Sequence, residues 1–178
     1  MNKLQPVIFL MPVITLILVV ILYFILLKKV EDRAAFARFV FITTILAFVL
    51  NFAWEIIQLP FYKNNVYDVR HISFCALATL ADVIMVMLIY FSFALVYKNA
   101  FWIKGINIQR ALLLILTGGI GAILAEMKHL SKADWAYSSS MPIIPLVNAG
   151  ISPVLQFMLL PLIIYHVSLL LLKPFRQE

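Results

Sequence analysis

Asn51, Glu55 and Gln58 follow one another at intervals of four and three residues near the end of a long apolar run. In a helix of 3.6 residues per turn they share one face, within an arc of roughly 100°. A carboxylate inside a bilayer costs about 2.5–3.5 kcal/mol on insertion scales, so an acid there points to a function. Asp82, Glu126 and His71 are the other groups of this kind. Desolvation favours the neutral form of a carboxyl, so one acid of such a set is expected to donate a proton while another acid, or His71, takes one back. That is equipment for acid–base chemistry on a lipid-soluble substrate: isomerisation, hydration or cyclisation of an alkene or epoxide. Glu55, Asp82, Glu126 and His71 are therefore the candidate catalytic residues. The plainer alternative for Glu55 is a shallow, wet position, since Pro60 follows five residues later.

The elements that must position these groups are membrane helices. The chain has 178 residues, 65% of them hydrophobic and 12% charged, with a mean hydropathy of +1.05. A water-facing surface needs far more charge than that. The sequence predicts an all-α integral membrane protein, one bundle of about five spans with no second domain. A net charge of +6 is then loop charge that orients helices, not a nucleic-acid signal. The single cysteine, Cys75, leaves no internal disulfide and no cysteine metal cluster.

Apolar runs place the spans at about 7–27, 39–59, 72–97, 110–127 and 146–172. The first is too long for a signal-peptide core and lacks a small-residue cleavage site, so it is expected to remain as a helix. Lys28 to Arg38 reads as a charged connection, and Trp102 as an interface anchor beside Lys104. Thr117, Gly118, Gly119 and Gly121 make a small-residue surface on the fourth span; it permits close helix packing, within the bundle or across a homo-oligomer. Pro142, Pro145, Pro153 and Pro161 predict a re-entrant or irregular piece before a kinked last helix.

Lys28, Lys29, Arg33, Arg38, Lys98, Lys104, Arg110, Lys173 and Arg176 fall on one side of these spans, and Lys3, Lys63, Arg70, Lys128 and Lys132 on the other. The bias predicts an external amino terminus and a cytoplasmic carboxyl terminus. Four spans then bring polar residues to the outer leaflet: Glu55; His71 and Asp82, eleven residues apart and differing in direction by only about 20°; Glu126 and His129; and Asn148, Ser152 and Gln156. Asp82 is expected roughly 12–16 Å along its helix, too deep to be merely wet. Asn51, Trp54, Gln58, Trp135, Tyr137, Asn148 and Gln156 are candidate substrate-binding residues. Ring faces of Trp54, Tyr62, Trp135 and Tyr137 can stabilise a carbocation, although each alone is also an ordinary interface aromatic. Structural roles also suffice for single acids: Asp82 bonded to the Thr117 hydroxyl, and Glu126 paired with Lys128 or Lys132.

Asn51-x-x-Trp54-Glu55 at the end of a span resembles the Asn-x-x-Trp-Glu pattern of small membrane-integral terpene cyclases of meroterpenoid and indole-diterpene pathways. The resemblance implies that Glu55 protonates an epoxide or alkene, with Asp82 as the accompanying aspartate. Trp135-x-Tyr137 followed by Met141-Pro142-x-x-Pro145 looks like the aromatic and proline-rich loops of membrane carotenoid cyclases and hydratases. These likenesses cover about a dozen residues, and those terpene cyclases have seven spans against five here. They imply an isoprenoid-like substrate drawn from membrane lipid, and no cofactor.

Two other classes compete. Glu126-x-x-His129 has the one-turn spacing of carboxylate-bridged metal sites, and His71 can join Glu126 and His129 as a ligand. A bis-His haem is less well served, because His166 lies on the other side of the membrane from His71 and His129. The last class has no chemistry: a lipid binder, a transport subunit or an assembly subunit, since proton-coupled transport also uses buried acids.

Overall fold

The computed structural model describes residues 10–63 and 66–172. Lys3, Lys173 and Arg176 of the charge comparison lie outside them, as do residues 7–9 of the first span and the loop residues Asn64 and Asn65. Five α-helices follow in order: α1 (Leu10–Lys29), α2 (Arg33–Gln58), α3 (Val69–Val96), α4 (Ile108–Ser131) and α5 (Ile151–Leu172). All five are long and apolar enough to cross a membrane, which is compatible with a multi-pass membrane protein.

Local chemistry sets the helix ends. Asp32 caps α2 by accepting from the Ala35 amide at 2.8 Å, Asp68 caps α3 through His71 N at 2.8 Å, and Asn107 caps α4 through Arg110 N at 3.0 Å. The Asp32 cap starts α2 at Arg33, so Arg33 and Arg38 belong to the helix and not to the connection. Lys28 and Lys29 occupy the last turn of α1, where the exposed carbonyls favour cations. Pro60 cannot donate to a continuing helix, and α2 tightens into a short 3-10 turn, Leu59–Phe61. Residues 132–150 form no helix. They are tied by two isolated antiparallel bridges, Tyr62 with Tyr137 and Ile143 with Gly150, and Pro161 lies inside α5.

The helices pack in the order α1, α3, α2, α5, α4, so α2 stands between α3 and α5 while α4 leans on α5. Gly118 and Gly119 make that last contact. A Cβ on Gly118 would lie 1.9 Å from the Phe157 carbonyl oxygen, and one on Gly119 would meet the Met158 side chain at 2.9 Å. A Cβ on Gly121 would meet nothing within 4 Å. Two of the three glycines are thus used inside the bundle.

The half of the bundle holding the α1–α2 and α3–α4 connections is closed by buried aromatics: Phe36, Phe39, Tyr90, Phe91, Trp102 and Tyr165. Tyr90 donates its hydroxyl to Ala100 O at 2.5 Å, Trp102 Nε1 donates to Tyr90 O at 3.2 Å, and Tyr165 donates to Val86 O at 2.6 Å. Trp102 is therefore a core residue, not the interface anchor that its neighbourhood of cations suggested. The opposite half is polar.

Candidate functional site

The polar half is built where the carboxyl end of α2, the amino-terminal half of α3 and the start of α5 meet. Because α2 lies between α3 and α5, the face carrying Asn51 and Gln58 is covered on both sides; Asn51 is 1% exposed and Gln156, on α5, also 1%. Gln156 Nε2 donates to Asn51 Oδ1 at 2.9 Å and to Asp82 Oδ2 at 3.1 Å. Gln58 Nε2 donates to Glu55 Oε1 at 2.6 Å and to Gln156 Oε1 at 3.4 Å. Each glutamine NH2 has two hydrogens, and both are spent. The result is a directed chain, Glu55–Gln58–Gln156–Asp82, joining two half-buried carboxyls on different helices. Ser152 extends it, donating to Gln58 Oε1 at 2.9 Å and accepting from Trp54 Nε1 at 3.2 Å. Asn51 Nδ2 completes the set with the Ala47 carbonyl, at 2.7 Å.

Glu126 forms a second centre. It is 7% exposed near the end of α4 and accepts from Trp135 Nε1 at 3.2 Å and from the Tyr137 hydroxyl. Tyr137 in turn accepts from Gly150 N at 2.8 Å. The loop is held against the end of α2 by Lys63 N to Ala136 O and Ser138 N to Phe61 O, both 2.8 Å. That pairing sets Tyr62 against the rings of Tyr137 and Trp135, at centroid distances of 5.6 and 6.5 Å. Burial pushes the Tyr62 phenol well above its ordinary range, and the charges of Glu126, Glu55, Tyr137 and Asp82 add to the effect, in that order. Burial likewise raises the Tyr137 phenol, with its hydrogen bond to Glu126 second. Both phenols are thus neutral, and the one hydroxyl hydrogen of Tyr137 is spent on Glu126.

The structure therefore brings together Glu55, Asp82, Asn51, Trp54, Gln58 and Gln156 in one network, and Glu126, Trp135 and Tyr137 in a neighbouring one. His71 is elsewhere: its Nδ1 pairs with the capping Asp68 at 2.8 Å, on the first turn of α3. Asn148 is exposed in the loop, with a positive φ of 53°. Thr117 donates to Leu113 O at 2.8 Å, so it is not the partner of Asp82. No lysine reaches Glu126: among the described residues the only ion pairs are His71–Asp68 and His129–Asp134.

His129, proposed with Glu126 and His71 as a metal ligand, instead holds Asp134 Oδ2 at 2.7 Å and stacks on Trp135 at 4.4 Å. Among the described residues no group of three His, Cys, Asp or Glu side chains converges as a metal shell. His166 is exposed on α5. An apolar groove between α1, α2 and α3, lined by Val19, Tyr23, Val40, Met87 and Phe91, contains none of the acids.

The sequence reading gave no role to Asp68 or Asp134, although Asp68-x-x-His71 has the spacing of a capping aspartate whose side chain reaches the third residue on. It also left Ser152 outside the binding set; only the packing of α5 on α2 reveals its place between Trp54 and Gln58. No protein-family model, curated protein or solved structure matches the chain.

Proposed function

We propose that the protein is an intramembrane acid–base enzyme acting on a lipophilic, isoprenoid-like substrate. The observation that carries this reading is the chain Glu55–Gln58–Gln156–Asp82, two carboxyls joined by two fixed amides with no cation among the described residues bonded to either. A purely structural acid is ordinarily neutralised by a cation or removed, because an unpaired carboxylate in low dielectric is costly. Here one carboxyl delivers a proton to an alkene or an epoxide oxygen, and another removes a proton from the resulting cation, giving isomerisation or cyclisation; capture by water gives hydration instead. The ring faces of Trp54, Tyr62, Trp135 and Tyr137 stabilise the intermediate positive charge. The glutamines fix the carboxyl oxygens. Glu126, held by Trp135 and Tyr137, is the third acid of the site. The substrate comes from the leaflet in which the acids lie, which the loop charges assign to the outer side.

Identification of lipid that co-purifies with the protein, by mass spectrometry, supplies the substrate for the test. Glu55→Gln and Asp82→Asn, each close to isosteric, are then expected to abolish its turnover while leaving expression and thermal stability intact. Full turnover by both variants overturns the reading.

A further inference from the structure

Between Asp134 and Lys173 the chain contains no Asp, Glu, Lys or Arg. The first part of that run is the loop 135–150, and its tip is apolar and outward-facing. Leu146 is 100% exposed and Ile143 47% exposed, with Pro142 and Pro145 exposed beside them. Leu146 also has a φ of 75°, in the left-handed region, which costs an ordinary residue roughly 1–2 kcal/mol. A leucine held in that conformation with its side chain outside the fold gains nothing from the chain's own packing.

Part of the loop backbone is satisfied from within the chain. Pro142 and Pro145 have no N–H to satisfy. Met141 N donates to Ser138 O at 3.2 Å, Ile144 N to Ala149 O at 2.8 Å, Asn148 N to Ile144 O at 3.0 Å and Ile151 N to Pro142 O at 2.8 Å. These bonds remove part of the cost that non-helical backbone carries at hydrocarbon depth, while the Leu146 and Val147 N–H groups at the tip make no backbone bond among the described residues. The loop also joins α4, which packs against α5 at the edge of the bundle.

We infer that the tip 142–146, with Leu146 and Ile143 outermost, is inserted into the bilayer and that its partner is lipid hydrocarbon of the leaflet holding the acids. Its root is the Tyr137–Gly150 contact, one hydrogen bond from Glu126, so lipid touching the tip lies beside the acid cluster. Only this last point, a route by which substrate arrives, rests on the enzymatic reading. The insertion does not.

Single-cysteine labels test it. Leu146→Cys and Ile143→Cys are labelled with an environment-sensitive fluorophore in phosphatidylcholine vesicles, with Lys63→Cys as the aqueous reference. Cys75 is 2% exposed, and the unsubstituted chain treated in parallel is the blank. The expected result is blue-shifted emission from both tip labels, with quenching by acyl-chain nitroxide lipid several-fold stronger than at Lys63→Cys and little quenching by aqueous iodide. Iodide quenching equal to that of the reference overturns the inference by placing the tip in water. Protection from both quenchers also overturns it, by placing the tip against protein or a second copy of the chain. No substrate enters this measurement, so a failure of the enzymatic reading leaves its outcome distinct.

Discussion

Gln156 on α5 donates to Asp82 on α3 at 3.1 Å, a second polar link between these helices beside the Tyr165 hydroxyl on Val86 O. The same NH2 group holds Asn51 of α2, so one amide ties three helices together. Gln156→Leu strands the Asp82 carboxyl and the Asn51 carbonyl, and a buried polar group left unpaired costs about 1–3 kcal/mol. The variant is expected to melt at lower temperature in detergent and to lose activity. An unchanged melting temperature contradicts the role assigned to this amide.

Tyr137→Phe removes a hydroxyl that donates to Glu126 and accepts from Gly150 N. Both partners are left short, at a cost of about 1–3 kcal/mol, and the loop loses one of its attachments to α4, keeping those through Trp135 and Asp134. Faster proteolysis or amide exchange in the loop 132–150 is expected, with the α-helices unaffected. Equal protection in the variant and the native chain would show that other contacts hold the loop.

Gly118→Ala places a methyl group 1.9 Å from the Phe157 carbonyl oxygen, a backbone atom that cannot swing aside. Overpacking of this type costs about 1–3 kcal/mol or more. Gly121→Ala meets nothing within 4 Å and gains helix propensity of up to roughly 1 kcal/mol. Thermal unfolding of the pair should separate them, with Gly118→Ala below the native chain and Gly121→Ala at or above it. Equal stability would refute the α4–α5 contact.

The Asp68 carboxyl is held below the ordinary carboxylate range, first by the His71 backbone N–H and then by the His71 side chain. A lowered value in the folded state means that the cap contributes stability at pH above the unfolded value of about 3.9. That contribution is lost as pH falls through the folded value. Amide exchange in the first turn of α3, compared with Asp68→Asn, should converge on the variant's rate only in acid. A constant difference across that range contradicts the sign.

Much of this arrangement is written in the residue pattern, and the missing parts share one cause. Long apolar runs locate five helices because backbone polar groups in lipid must be satisfied within the segment. The start of α2 is less obvious, since Arg33 and Arg38 look like loop until the Asp32 cap is seen. The residue types of the site are legible: Asn51, Glu55 and Gln58 share a face by spacing alone. Their partners are not, because the link from Gln58 through Gln156 to Asp82 depends on α2 lying between α3 and α5. The same ignorance of neighbours made Trp102 look interfacial and put His71 and Asn148 in the site. Both come from segments next to it, but their side chains are spent on Asp68 or left in the open loop.

The central claim, that Glu55 and Asp82 move a proton to and from a membrane lipid, is tested most directly by isotope transfer to carbon, the outcome expected when the protonated group is an alkene. Native protein and the Glu55→Gln and Asp82→Asn variants are incubated in deuterated water with the neutral-lipid extract of the host membrane. The lipids are then analysed by mass spectrometry. The account predicts deuterium bound to carbon in an isoprenoid component with the native protein and none above the protein-free control with either variant. Absence of label with the native protein, or equal label with all three, would contradict it.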